Sequence, residues 1–74
     1  MKITVKLFAN LRINNKKEEE MVLEKESTAM DIIKRLNISE KDASIIMING
    51  RRKNLNTKLY QGDIVSIFPP VGGG

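Results

Sequence analysis

Seventy-four residues carrying thirteen Lys or Arg, nine Asp or Glu and a net charge of +4 make enough chain for one small domain. They are too few for a second domain or a deep cofactor cleft. With no Cys and no His, neither disulfides nor the usual metal ligands can brace the core, so backbone pairing and apolar packing have to hold it.

Other classes are disfavoured by pattern. Met1 to Phe8 alternates charged and apolar residues instead of forming the apolar block of a signal peptide. No run approaches the roughly 20 apolar residues of a membrane span. The expected setting is therefore the cytoplasm, and the lack of Cys is in keeping with a reducing compartment. Nucleic-acid binding would call for a basic stripe with stacking aromatics, whereas Phe8, Tyr60 and Phe68 are the only aromatic residues.

Lys2 to Phe8 alternates with period two and places Ile3, Val5 and Leu7 on one face of a first strand. Asn14, Asn15, Lys16 and Lys17 favour a turn. Glu18 to Lys25 then reads as a second strand with Met21 and Leu23 on one face and Val22 and Glu24 on the other. Thr28 followed by Asp31 marks a helix start, with the Thr28 hydroxyl expected to accept from exposed N–H groups; Ser27 is the alternative cap. Ala29, Ile32, Ile33 and Leu36 form the apolar stripe, and Asn37 can close the helix in a left-handed conformation.

Residues 39–44 read as a polar connection. Ile45 to Ile48 is a continuous apolar run ended by Asn49-Gly50, the strongest hairpin signal in the chain, so Arg51, Arg52 and Lys53 begin the return strand. Gln61-Gly62-Asp63 marks a further turn. Ile64 to Phe68 is a last β-branched strand, stopped by Pro69-Pro70. The expected fold class is α+β, a mixed sheet of four to five strands on one helix in the order ββαββ(β). The last strand is expected beside the first, reached in parallel by the long crossover over residues 26–60. This is a β-grasp arrangement, with residues 1–68 as a single domain and 69–74 as a flexible tail.

The tail Pro69-Pro70-Val71-Gly72-Gly73-Gly74 combines a stiff, extended departure with three positions that lack side chains. A terminal carboxylate, with a pKa of about 3.5, is ionised at neutral pH and available as a nucleophile toward an activated phosphate. Glycines let such a group pass through a narrow channel.

The segment Gly62-Asp63-Ile64-Val65-Ser66-Ile67-Phe68-Pro69-Pro70-Val71, ending in Gly-Gly, resembles the C-terminal signature of the molybdopterin synthase small-subunit (MoaD) family within the ubiquitin-like sulfur carriers. Leu7-Phe8-Ala9 with Leu11-Arg12, the Thr28-Ala29-Met30-Asp31 helix start and Ile48-Asn49-Gly50 extend the resemblance over nearly the whole chain. Gly72 departs from it, because Val-Gly-Gly-Gly is similar to the ending of thiamin sulfur carriers (ThiS).

The resemblance implies that the Gly74 carboxylate, presented with Gly73, is adenylated with ATP by an E1-like activating enzyme of the MoaB/MoeB/ThiF-like kind. A sulfur donor then displaces AMP to give a thiocarboxylate. In such a scheme the chain is a cosubstrate, or the small subunit of a synthase, that brings no acid or base of its own, binds no cofactor and no metal, and passes sulfur on, with a synthase large subunit among its partners.

Strand alternation adds a surface: Ile45, Met47, Ser66 and Phe68, with Phe8, fall on the face away from the helix. Phe8, Met47 and Phe68, leading into Pro69, Pro70, Val71 and Gly72, form the expected partner-binding patch. Arg51, Arg52 and Lys53 are candidates for electrostatic contacts, against the simpler reading of a solvated edge strand. Glu18, Glu19 and Glu20 read as a solvated face. Alternative roles for the same tail are sulfur transfer toward thiamin or transfer RNA, and conjugation to lysines as a protein modifier.

Overall fold

The computed structural model describes residues 1–12 and 15–71. The turn reading at Asn14 and the tail positions Gly72, Gly73 and Gly74 lie outside the described residues.

Five strands, a short 3-10 turn and one helix follow one another: β1 (Lys2–Leu7), the turn Ala9–Leu11, β2 (Glu18–Val22), α1 (Ala29–Arg35), β3 (Ile45–Ile48), β4 (Arg51–Lys53) and β5 (Ile64–Phe68). They build one sheet in the order β2-β1-β5-β3-β4. β5 lies parallel to β1, with Val5 opposite Val65 and Leu7 opposite Ile67, and antiparallel to β3, with Ile46 opposite Ile67 and Ile48 opposite Val65. The last strand therefore sits at the centre of the sheet, beside the first, as the alternation and the long crossover predict.

The period-two pattern is realised in burial. Ile3, Val5, Leu7, Met21, Ile46, Ile48, Val65 and Ile67 turn into the core, where Ala29, Ile32 and Ile33 of α1 meet them. Asn49 and Gly50 both take positive φ, 52° and 81°, which is the backbone that a two-residue turn needs to match strand twist. Asn37, at φ 59°, closes the helix in the left-handed conformation.

Three details go beyond the sequence pattern. The helix start is the expected capping box of Thr28 and Asp31, with the Asp31 carboxylate accepting from the Thr28 N–H at 2.8 Å. Ala29 also donates to the Thr57 carbonyl and Met30 to the Leu55 carbonyl, partners that the sequence pattern does not reveal. Beyond Phe8, Ala9 adopts φ 54°, turning the chain so that Leu11 enters the core without any periodic signal around it. Ala43 and Leu59, from segments without periodicity, are also buried.

Two substitutions probe this frame. Ile33→Ala empties a site with 1% exposure and is expected to cost about 2–5 kcal/mol in chemical denaturation. Gly62 sits at φ +86° and donates to the Lys2 carbonyl. Nothing lies within 4 Å of an added Cβ, so Gly62→Ala should cost only the left-handed strain, about 1–2 kcal/mol.

Candidate functional site: the sheet end beside the tail

The residues that end β5 are set by β5's two neighbours. β1 stops at Leu7, and Phe8 adds one further rung by donating its N–H to the Ile67 carbonyl at 3.3 Å. On the other side Phe68 is directly opposite Ile45, the first residue of β3. Pro69 and Pro70, which have no N–H to donate, follow where no further strand rung exists. Val71, the last described residue, is 78% exposed.

Opposed residues share a face of the sheet, so the register fixes what surrounds this exit. Val65 and Ile67 point into the core, which turns Ser66 and Phe68 outward. The Phe8 ring stacks on Phe68, with centroids 4.2 Å apart and planes inclined by 15°. Ile45 flanks Phe68 across the strand pair, and Met47 lies opposite Ser66. Phe8, Ile45, Met47 and Phe68 are all half-buried, forming an apolar strip on the outer face that runs into the root of the tail. The three sequence-predicted patch residues thus come together, and Ile45 joins them through its register with Phe68.

Arg12 is the second residue at this end that was not singled out as part of a site. Its Nε donates to the Leu7 carbonyl at 3.2 Å, holding a guanidinium near the C-terminal end of β1, which is also the end at which parallel β5 finishes. The signal for it was positional rather than chemical, since only the parallel β1–β5 pairing brings residue 12 to the tail's end of the sheet.

The basic run behaves differently. Arg51, Arg52 and Lys53 form the exposed edge strand β4, two strands away from β5. Arg52 is opposite Met47 and shares the outer face with it; Arg51 and Lys53, opposite Ile48 and Ile46, share the helix side. The run is therefore split between two faces and joins the apolar strip only through Arg52.

At the opposite end of the sheet the turns are locked by side chains. Asn49 Nδ2 donates to Asp63 Oδ1 at 2.9 Å and its Oδ1 accepts from the Ile64 N–H at 2.9 Å, while Asp63 Oδ2 accepts from the Tyr60 N–H at 2.8 Å. Lys58 pairs with Glu26, a hydrogen bond that raises the Lys58 pKa above its ordinary value. Both groups lie at the end of the sheet where β1 begins, away from Phe68. Among the described residues no cluster of acidic, His or Cys side chains could hold a metal ion, and no helix is long and apolar enough to cross a membrane.

The outer strip generates a double-mutant prediction. Phe8→Ala and Phe68→Ala should couple, the pair losing about 0.5–1.5 kcal/mol less than the sum of the single changes because the stacking is lost only once. Additive losses in denaturant titrations would show that the two rings act independently.

The arrangement has solved counterparts. SAMP1 from Haloferax volcanii superposes with a TM-score of 0.78 at 21% identity, covering 100% of both chains, and shares the fold. A Pyrococcus furiosus protein described as molybdopterin converting factor, subunit 1, matches with a TM-score of 0.76 and 32% identity over 95% of this chain and 98% of that one. A complex of subunits 1 and 2 of the molybdopterin-converting factor from Helicobacter pylori matches at 0.66 and 26% identity, covering 100% of both chains. No curated protein sequence matches. The model of the ThiS family matches residues 5–74, from the middle of β1 through the apolar strip to the glycine ending, and the chain belongs to that family, with its ubiquitin-like β-grasp fold.

Proposed function

We propose that this protein is a sulfur carrier that acts through the carboxylate of Gly74, most directly in molybdopterin formation. The observation that carries the reading is the family match, which continues through the glycine ending to residue 74, so that the tail belongs to the matched pattern together with the sheet. The molybdopterin assignment draws on the Pyrococcus furiosus relative at 32% identity.

In this reading an E1-like activating enzyme brings the ionised Gly74 carboxylate to the α-phosphate of ATP. Pyrophosphate leaves and an acyl-adenylate forms. Sulfur from a donor attacks the acyl carbon and AMP leaves, giving the thiocarboxylate that is later transferred. The chain itself supplies position. Gly72 and Gly73 allow close passage, Pro69 and Pro70 limit the directions the stalk can take, and the strip of Phe8, Met47 and Phe68 docks the partner. The Helicobacter pylori neighbour is a complex of subunits 1 and 2, which supports a synthase large subunit as a partner.

A second reading, sulfur supply to thiamin, is favoured by Gly72, which gives the Val-Gly-Gly-Gly ending, and by the family whose model matches. The two differ in the acceptor and not in the carrier chemistry.

Intact-mass spectrometry after incubation with an activating enzyme, ATP and a sulfur donor tests both. The expected product is heavier by the difference between one sulfur and one oxygen, and removal of Gly74 should abolish it. If neither an adenylate nor a thiocarboxylate forms, the carrier reading fails. Co-purification with a synthase large subunit, lost on Phe68→Ser with the fold intact by circular dichroism, would favour the molybdopterin branch.

A further inference from the structure

The two free edges of the sheet carry opposite charge. One edge is β2, with Glu18, Glu19 and Glu20; the other is β4, with Arg51, Arg52 and Lys53. Exposed edges invite pairing with further strands, and charge is the usual means of preventing it. Here the charges oppose only like pairing. β2 against a second β2 would set carboxylates against carboxylates, and β4 against a second β4 would set cations against cations, but β2 against β4 brings the two kinds together.

Strand direction and backbone geometry agree with that combination. β2 runs antiparallel to β1, β5 parallel to β1, β3 antiparallel to β5, and β4 antiparallel to β3. β4 and β2 consequently run in opposite senses within one molecule. A second copy placed beside the first in the same orientation therefore meets β4 with an antiparallel β2, and the outer faces of both sheets stay on the same side.

The N–H of Leu7 bonds the Lys17 carbonyl and that of Leu23 bonds the Met1 carbonyl. Residues 17, 19, 21 and 23 thus spend their backbone groups on β1, and those of Glu18, Glu20 and Val22 point outward. Arg35 covers the Val22 carbonyl, with Nη1 at 2.7 Å. On β4, Arg51 and Lys53 face β3, and Arg52 presents its N–H and carbonyl to the open side.

One register satisfies both charge and backbone. With Arg52 opposite Glu20, the two residues exchange two backbone hydrogen bonds and their side chains meet on the outer face, while Lys53 meets Glu19 on the helix side. A shift by two residues would set Lys53 against Lys17. Next to β4 on the helix side lies an open groove of about 760 Å³ with Ala43, Ile46, Leu55 and Lys53 among its lining, room for the inward side chains of an added strand.

We propose that copies of this protein associate head to tail through β4 of one and β2 of the next. The contact uses only edges, so it leaves the Phe8–Phe68 strip of each copy uncovered. It would range several carriers with their tails at the same end of a continued sheet, successive copies being rotated by the sheet twist. Because the two surfaces differ, the assembly is open-ended unless the rotation closes a ring.

Sedimentation velocity and light scattering of the full chain test this. At low salt the weight-average mass should rise with concentration to at least about twice the monomer, and fall back to the monomer at about 1 M salt, where screening reaches only about 3 Å. Glu18→Lys with Glu20→Lys makes both edges basic; Arg51→Glu, Arg52→Glu and Lys53→Glu together make both acidic. Each variant alone should be monomeric with an unchanged circular dichroism spectrum, and an equimolar mixture of the two should associate again. A wild-type monomer at every concentration at low salt overturns the proposal, as do charge variants that associate alone or folded variants that fail to associate when mixed. Association lost on Phe8→Ala and kept in the charge variants places the contact on the outer face, and likewise overturns it.

Discussion

The fold depends on one long-range pairing, the parallel register of β5 on β1. Val5 and Val65 face one another at the middle of the sheet and are fully buried, and Ile67 beside them is buried as completely. Until β5 arrives, β1–β2 and β3–β4 are two separate hairpins, each with one apolar face and nothing to pair with along the inner edge. Two-stranded hairpins are marginal in water. The insertion of β5 joins them into five strands and completes the surface that α1 covers. Nearly the whole chain must be in place before that happens, so a single late segment determines whether both hairpins are stable.

The crossover that makes this pairing possible also finishes the helix. Segment 55–59 returns along the start of α1: carbonyls of Leu55 and Thr57 accept from the helix N–H groups, Leu59 donates to Ser27, and Thr28 forms a bridge with Lys58. A helix of seven residues has too few internal bonds to be stable alone. It is held from below by Ile32 and Ile33 in the core and at its start by the very segment that carries the chain toward β5. The same return buries Leu59, at 1% exposure, without any periodic pattern around it.

This explains what could be read from the sequence. Alternation in Lys2 to Leu7, the helical stripe of Ala29, Ile32 and Ile33, and the Asn49-Gly50 turn are local features, each interpretable within a few residues, and all five strands and the helix were legible from them. The outer strip was legible for the same reason, because once Val65 and Ile67 are assigned inward, Phe68 has only one other face to occupy. Leu11, Ala43 and Leu59 were not legible as core, since their burial results from where irregular segments are carried by distant pairings. The capping of α1 by backbone carbonyls belongs to that class, as does Arg12, whose place beside the end of β5 exists only when β1 and β5 are parallel. The basic run was legible as an edge strand, and a strand divides three consecutive charges between two faces.

The position of the tail follows from the same constraint that organises the core. A central strand is held on both sides, so its last residue is the most firmly placed terminus that a small sheet can provide. β1 and β3 both run out at the level of Phe68, with Phe8 and Ile45 as the last rungs. A proline one residue earlier would have removed an N–H from a rung that is in use, and a longer strand would have had no neighbours on which to rest. Pro69 stands at the first position where the missing donor costs no pairing. The stacked Phe8 and Phe68 rings add an apolar surface at that point, on the outer face and directly before the two prolines.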